Sequence, residues 1–147
     1  MKIIKPKPLN IIKLVKYFDW NTDKQINKTD DLFNIERKCR RRIQSMFRRM
    51  KEIKTDSTTQ YLGADFNTIK QHIESQFKYG MSWNDDLHID HIIPLASGKT
   101  LEEKIPLLHY TNLQPLPKSL NLEKYNNTWT PEYTDQRLQE FYNQTQP

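Results

Sequence analysis

The longest regular pattern of apolar positions lies in the first half of the chain. Apolar residues recur there at steps of three and four, which is the spacing of one buried stripe on an α-helix. The stripe consists of Ile35, Cys39, Ile43, Met46, Phe47, Met50 and Ile53. The other positions of this segment are mostly basic. The spacing therefore predicts an amphipathic helix with one apolar and one cationic face.

A second helical pattern follows Gly63. Its apolar positions are Phe66, Ile69, Ile73 and Phe77. Asp65 is suited to cap the first turn of this helix, and Gly80 is suited to end it. His72 falls off the apolar stripe, so we expect its imidazole to be solvated.

From Leu87 the pattern changes to that of short strands. The β-branched content of the residues up to Leu95 predicts a strand that ends at Pro94, and a second strand is predicted at Leu113 to Leu116. Between them, Thr100 and Glu103 have the spacing of a capping box, so a short helix is expected before Pro106.

Two further helices are predicted after the second strand. Pro117 suits the first turn of a helix that carries Leu120, Asn121, Leu122 and Lys124. Thr130 and Pro131 are suited to open a final helix that buries Leu138, Phe141 and Tyr142. The predicted fold class is α+β. We divide the chain into an N-terminal arm (1–30, with a short amphipathic helix at 10–18), an arginine-rich helix (31–60), a core (61–127) and a C-terminal helix and tail (128–147).

Composition and charge narrow the classes of partner. The chain has 147 residues, a hydrophobic fraction of 35%, a net charge of +5 and a pI of about 9.2. A basic chain of this size favours nucleic acid first and anionic membranes second. We expect no membrane association, because no apolar run has the length of a bilayer span and no signal peptide is evident. The single cysteine, Cys39, excludes an intrachain disulfide and fits a reducing cytoplasm.

The positive charge is concentrated in the first predicted helix. Residues 35–54 contain nine lysines and arginines against two glutamates. Such a run is often only a solvated helix face, but like charges at i and i+4 destabilise a helix unless a polyanion neutralises them. We therefore expect contact with a nucleic-acid backbone. The candidate residues are Arg37, Arg41, Arg42, Arg48, Arg49 and Lys51.

The candidate chemistry lies in the two predicted strands and the helix that follows. Hydrolysis of a phosphodiester needs an attacking water, a base, and positive charge at the phosphate. Asp90 and His91 could serve as metal ligand and base. They are adjacent, however, so a regular strand would point them to opposite faces. The strand must therefore end or bulge there if both are to reach one phosphate.

Three short segments carry a resemblance to a known family. They are His88-Ile-Asp-His-Ile-Ile-Pro-Leu95, His109-Tyr-Thr-Asn-Leu-Gln-Pro-Leu116 and Asn121-Leu-Glu-Lys124. The region from Tyr61 to Lys124, somewhat under half of the chain, resembles the HNH endonucleases of the ββα-metal superfamily, especially the small phage-type and homing-type members. The resemblance implies a two-stranded antiparallel ribbon with a crossing helix. It also suggests a phage, a mobile element or a restriction system as the source, with the host cytoplasm as location if the protein is phage-encoded.

The resemblance implies a role for each matching residue. Asp90 corresponds to the metal-binding carboxylate, and His91 to the general base that activates the hydrolytic water. Asn112 corresponds to the asparagine that ties down the loop and helps to orient the histidine. Asn121 corresponds to the second metal ligand. One catalytic Mg²⁺ is implied, with Mn²⁺ as a substitute, because both ligands offer hard oxygen atoms.

Several assignments stay open at this level. His88, Lys118 and Lys124 are candidates for phosphate contact, although His88 could equally face solvent and surface lysines usually contribute little. His109 is expected to be structural. The expected function is a DNA endonuclease, with double-stranded DNA as the favoured substrate. The alternatives are a catalytically silent nucleic-acid-binding protein on the same scaffold, and a nuclease for RNA or single strands. The oligomeric state cannot be predicted from the sequence.

Overall fold

The computed structural model describes residues 31–145, which form an α+β unit. The elements are α1 (Asp31–Arg49), α2 (Thr58–Leu62), α3 (Phe66–Glu74), β1 (Leu87–His91), α4 (Leu101–Lys104), β2 (Leu113–Pro117), α5 (Lys118–Lys124) and α6 (Pro131–Thr145). The expected N-terminal arm and its helix at 10–18 lie outside the described residues. None of the helices within 31–145 combines the length and the apolar character that a bilayer span requires.

Helix α1 carries the predicted apolar stripe but is shorter than the stripe. Its buried apolar residues are Ile35, Cys39, Ile43, Met46 and Phe47. The helix ends at Arg49, and Lys51 has a positive φ of 56°, so the chain turns away from the helix axis. The prediction that Ile53 continues the stripe is wrong, because its side chain is 83% exposed.

Helix α3 begins as predicted and ends early. The Asp65 side chain accepts a hydrogen bond from the Thr68 amide at 2.7 Å, which confirms the N-terminal cap. The helix ends at Glu74, so the prediction that Gly80 stops it is wrong; Gly80 lies in a later turn with a φ of 85°. The solvated His72 is also a wrong prediction, because its Nε2 lies 3.1 Å from the Leu113 carbonyl oxygen.

The later elements agree well with their sequence signals. The capping box at Thr100 and Glu103 is present. The short helix ends before Pro106, as predicted, and Pro106 lies in a 3₁₀ turn at Ile105–Leu108. Helix α5 begins at Lys118, so Pro117 is its N-cap and the last residue of β2, and not part of the first turn as predicted. Helix α6 begins at Pro131 and buries Leu138 and Tyr142, as predicted.

Strands β1 and β2 form a two-stranded antiparallel sheet. Asp90 is paired with Gln114, and His91 with Leu113. Strand β1 ends at His91, three residues before the predicted end at Pro94. Strand β2 contains two prolines, which lack a donor for a further strand, and this is tolerated because β2 pairs on one side only.

The sheet lies between two groups of apolar side chains. One group joins α1, α2 and α3 to the sheet and includes Ile43, Ile69 and Leu113. The other joins α5 and α6 to the opposite part of the sheet and includes Leu116 and Leu120. Because a two-stranded ribbon is only marginally stable alone, these helices hold β1 in place and thereby position the polar residues of the site.

Gly63 fits a close approach between α2 and the loop before β2. It ends α2 with a φ of 73°. A Cβ at this position would lie 2.5 Å from Nε2 of His109. The imidazole of His109 also lies 2.8 Å from the Thr111 hydroxyl through Nδ1. These contacts fit the structural role expected for His109.

Candidate active site

A cleft of about 510 Å³ runs along β1 and brings together much of the predicted chemistry. Its polar lining comes from three elements: Lys38, Arg41, Arg42 and Ser45 from α1, His88 and His91 from β1, and Asn121 from α5. Three of these seven side chains are cations on one helix. The cleft therefore joins the basic surface to the histidines of the strand.

The cleft reaches both faces of the sheet because it follows the edge of β1 that β2 does not cover. The pairing of β1 with β2 is regular through His91 and contains no bulge. Side chains at 88 and 90 therefore leave one face, and those at 89 and 91 leave the other. At this edge His88 and His91 line one cleft although they belong to opposite faces.

Asp90 lies behind this edge, between the sheet and α5. Its side chain is buried, with 9% of the residue exposed, and its Oδ2 atom accepts a hydrogen bond from Nε2 of Gln114 at 2.9 Å. The same oxygen lies 3.0 Å from Nζ of Lys124. Asp90 is thus held by a neutral donor and by a cation on neighbouring elements.

Lys124 is fully buried, with an exposed fraction of 0%. Its ammonium group pairs with Asp90 and also donates a hydrogen bond to the His91 carbonyl oxygen at 2.9 Å. The expectation of a surface lysine that contacts phosphate is therefore wrong for Lys124. One side chain of α5 ties down both residues of the Asp-His pair.

The spacing of residues in the sequence carries a signal for this role. Lys124 follows Asn121 by three residues, so both side chains lie on one face of a helix. Gln114 likewise stands opposite Asp90 once the two strands are aligned. The alignment of the strands is what links these residues to the site.

Asn121 and His88 form a second contact between α5 and β1. Nδ2 of Asn121 lies 2.8 Å from Nδ1 of His88, so the amide donates and the ring nitrogen accepts. This arrangement requires the neutral imidazole with its proton on Nε2. Burial lowers the pKa of His88, while Asp86 acts in the opposite direction. The amide carbonyl oxygen of Asn121 takes no part in this contact.

His91 is the most perturbed histidine of the cleft. Only 6% of the residue is exposed, and burial together with the charges of Arg42 and Lys124 lowers its pKa to about 3. The imidazole is therefore neutral near neutral pH and has the form that can accept a proton. The low pKa also makes it a weak base, and a nearby phosphate would raise that pKa by opposing the two cations.

Asn112 connects the two halves of the loop between the strands. Its Oδ1 atom accepts a hydrogen bond from the Ile93 amide at 2.9 Å. Its Nδ2 atom donates to the carbonyl oxygens of Ile93, at 3.0 Å, and of Leu107, at 2.8 Å. In addition, the Ile92 amide donates to the Asn112 carbonyl at 2.8 Å. These contacts fix the chain directly after His91.

The predicted DNA-binding residues divide into groups. Arg41 and Arg42 line the cleft, and Arg49 lines a smaller one next to it. Arg37 and Arg48 are exposed but line neither, and Lys51 lies exposed in the turn after α1. Lys118 is exposed at the start of α5, close enough to His88 to lower the pKa of that imidazole. Lys118 therefore stays a candidate for phosphate contact.

The donor atoms near the cleft are of the type that suits Mg²⁺. Asp90 and Asn121 offer a carboxylate and an amide oxygen, which are hard ligands. Both contact the same interface between β1 and α5, through Lys124 and His88 respectively. Within residues 31–145, no group of three or more His, Cys, Asp and Glu side chains is arranged to hold a metal ion.

The described residues thus form an α+β unit with a basic cleft that contains histidine. One relative is an uncharacterized protein, L426, of Acanthamoeba polyphaga mimivirus, which is 36% identical over 99 residues; the match covers 64% of this chain and 43% of L426. The chain therefore spans less than half of the length of that relative. No known protein family matches the chain. No solved structure matches it.

Proposed function

We propose that this protein is a metal-dependent endonuclease that hydrolyses phosphodiester bonds of DNA. The observation that carries the proposal is the cleft itself, in which His91 and Asn121 face three cations of α1. Cations bind the phosphate backbone, and a neutral histidine beside them is placed to act on a phosphate-bound water. The cleft thus supports binding of a phosphate backbone beside a histidine base, with Asp90 buried behind its edge.

The local architecture supports the same proposal. The antiparallel pair β1–β2 is followed immediately by α5, which packs across both strands. This is the order expected of a ββα-metal core, as the resemblance to HNH endonucleases implies. Asp90 and Asn121 then fall on the strand and the helix from which that core would supply its ligands.

Each residue has a distinct task in this proposal. Arg41 and Arg42 bind the phosphate backbone, and His91 takes a proton from the attacking water. Asn112 and Lys124 hold the end of β1, so that His91 keeps its position. A Mg²⁺ bound by Asp90 and Asn121 would supply positive charge to the phosphate and the leaving oxygen. Mn²⁺ has similar ligand preferences and is expected to substitute.

A catalytically silent nucleic-acid-binding protein is the second candidate, and two observations favour it. Lys124 already neutralises Asp90 from within the protein. His91 is buried beside two cations, and its pKa of about 3 makes it a weak base. A protein that only binds DNA needs neither a free carboxylate nor a strong base. The basic cleft alone would serve it.

Cleavage of a supercoiled plasmid separates the two candidates. The wild type, His91→Ala and the control His109→Ala are each assayed with Mg²⁺ and with EDTA; His109 is exposed and lies outside the cleft. We expect nicked or linear product with Mg²⁺ from the wild type and the control, and none from His91→Ala. If the wild type cleaves neither plasmid, single-stranded DNA nor RNA, the silent binding protein is favoured. If it cleaves only single-stranded DNA or RNA, the protein is a nuclease for that substrate and not for double-stranded DNA.

Titration with Mg²⁺ by calorimetry tests the ligands independently of activity. The wild type should bind Mg²⁺, and Asn121→Ala should bind it more weakly because one oxygen ligand is lost. DNA binding measured in EDTA should stay near that of the wild type. Unchanged Mg²⁺ affinity in Asn121→Ala would remove this residue from the ligand set.

A further inference from the structure

Apart from Arg40, which pairs with Glu36, the exposed cations of α1 lie on two different flanks of the helix. Lys38, Arg42 and Arg49 are separated by four and seven residues, so they share the flank that faces β1. Arg37, Arg41 and Arg48 have the same spacing and share the outward flank. Arg41 still lines the larger cleft, whereas Arg37 and Arg48 line neither cleft beside the helix. The two flanks therefore differ in their access to the clefts.

A second cleft continues the first along the inward flank. It has a volume of about 160 Å³ and is lined by Arg42, Arg49, Lys104 and Asn126, among others. Both clefts share the side chains of Arg42 and Ser45, so they lie next to each other. The second cleft therefore extends the basic surface away from the histidines, towards the end of α1.

The charge along these two clefts is of one sign. Their lining includes five cationic side chains, namely Lys38, Arg41, Arg42, Arg49 and Lys104. No carboxylate lines either cleft among the residues that the structure describes. Burial lowers the pKa of the Arg42 guanidinium group, the nearby Arg49 lowers it further, and Asp90 acts in the opposite direction. Like charges held this close favour an anion between them.

We infer that one strand of a nucleic-acid backbone follows this inward flank, from His88 and Lys38 past Arg42 to Arg49 and Lys104. This inference rests on the proposed binding of DNA and adds its path. Lys38 and Arg49 are eleven residues apart, which is about 16 Å along a helix. One strand of DNA advances about 3.4 Å per phosphate, so the flank faces at most about five phosphates.

The path gives Lys104 a role that its sequence context did not indicate. Lys104 belongs to α4, and its Nζ donates a hydrogen bond to the Leu95 carbonyl oxygen at 2.7 Å. That bond uses one of the three ammonium protons and holds the side chain beside the second cleft. Lys104 and Arg49 then face the same backbone from two elements.

The neighbours Arg48 and Arg49 offer a matched test. Both are exposed and lie in the last turn of α1, but they lie on different flanks. Binding of a mixed-sequence 20-base-pair duplex is measured by fluorescence anisotropy in EDTA at several salt concentrations, with full-length wild type, Arg49→Gln and Arg48→Gln. We expect Arg49→Gln to weaken binding several-fold and to lower the log–log salt slope by about one unit per lost phosphate contact. Arg48→Gln should change the slope by much less.

Lys104→Gln provides a second, independent variant on the same path. It should lower the salt slope as Arg49→Gln does, and thermal melting shows whether the variant still folds. Equal losses in Arg48→Gln and Arg49→Gln, or a larger loss in Arg48→Gln, would overturn the path. If plasmid cleavage fails while the two flanks still differ, the path stands and the nuclease proposal falls. If plasmid cleavage is metal-dependent and Arg48→Gln and Arg49→Gln lose binding equally, the nuclease proposal stands and the path falls.

Discussion

The buried pair of Lys124 and Asp90 makes a strong prediction about stability. Lys124→Met keeps most of the side-chain volume and removes the ammonium group, so Asp90 stays buried without its cation. Loss of one partner of a buried ion pair costs about 3–5 kcal/mol. A domain of this size typically has a free energy of unfolding of about 5–15 kcal/mol, so the variant should lose a large part of its stability.

Two structural losses contribute to that figure. The carboxylate of Asp90 keeps only the neutral donor from Gln114, at 2.9 Å. The carbonyl oxygen of His91 loses its donor from Lys124, and an unsatisfied buried acceptor costs about 1–3 kcal/mol. The double variant Lys124→Met, Asp90→Asn removes both charges but does not restore the second bond. It should therefore be more stable than Lys124→Met and less stable than the wild type.

Urea denaturation followed by circular dichroism, in EDTA, measures these differences. Lys78→Met is a suitable control, because Lys78 is paired with Asp135 at an exposed position and should contribute less than about 1 kcal/mol. If Lys124→Met unfolds within about 1 kcal/mol of the wild type, or if the double variant is no better than the single one, a buried charge pair does not hold this interface.

Three further predictions concern single residues of the core and the cleft. Since His91 has a pKa of about 3 in the folded protein against 6.5 ordinarily, the unfolded chain binds the extra proton between these values. The free energy of unfolding should then fall by up to about 1.4 kcal/mol per pH unit below pH 6.5, and His91→Gln should flatten this dependence in urea melts. Gly63→Ala should lower the melting temperature through its positive φ and its clash with His109, and a second change, His109→Ala, should relieve only the clash. Burial raises the pKa of Cys39 to about 12, so a thiol reagent should react only after unfolding.

The elements of the fold could be predicted where a local signal decides them. The caps at Asp65 and Thr100 and the start of α6 at Pro131 depend on residues within one turn, and all three are present. The ends of α1 and α3 were wrong for another reason. Ile53 and Phe77 continue the apolar spacing, but the chain has already left the helix at both positions. Spacing shows which residues could share a face and cannot show where tertiary packing stops the helix.

The candidate site was predictable in its residues and less so in its geometry. The alternation of a strand predicts opposite faces for Asp90 and His91, and the regular pairing agrees. That one cleft is lined by both His88 and His91 depends on the position of α1. The pairing of Lys124 with Asp90 depends on how α5 crosses the sheet. Both require the packing of distant segments, which no local pattern encodes.

Asp90 is the residue at which the two candidate functions separate. Its Oδ2 atom is already bonded to Lys124 and Gln114, and Lys124 cannot leave without opening the core, because it is fully buried. A metal at this carboxylate must therefore share it with an ammonium group. Repulsion between the two positive charges lowers the affinity of the site for the metal. An oxygen from Asn121 and the negative phosphate of the substrate would offset that repulsion. The nuclease proposal consequently favours a Mg²⁺ that binds weakly to the free protein and more tightly in the presence of DNA, whereas a silent binding protein has no such coupling.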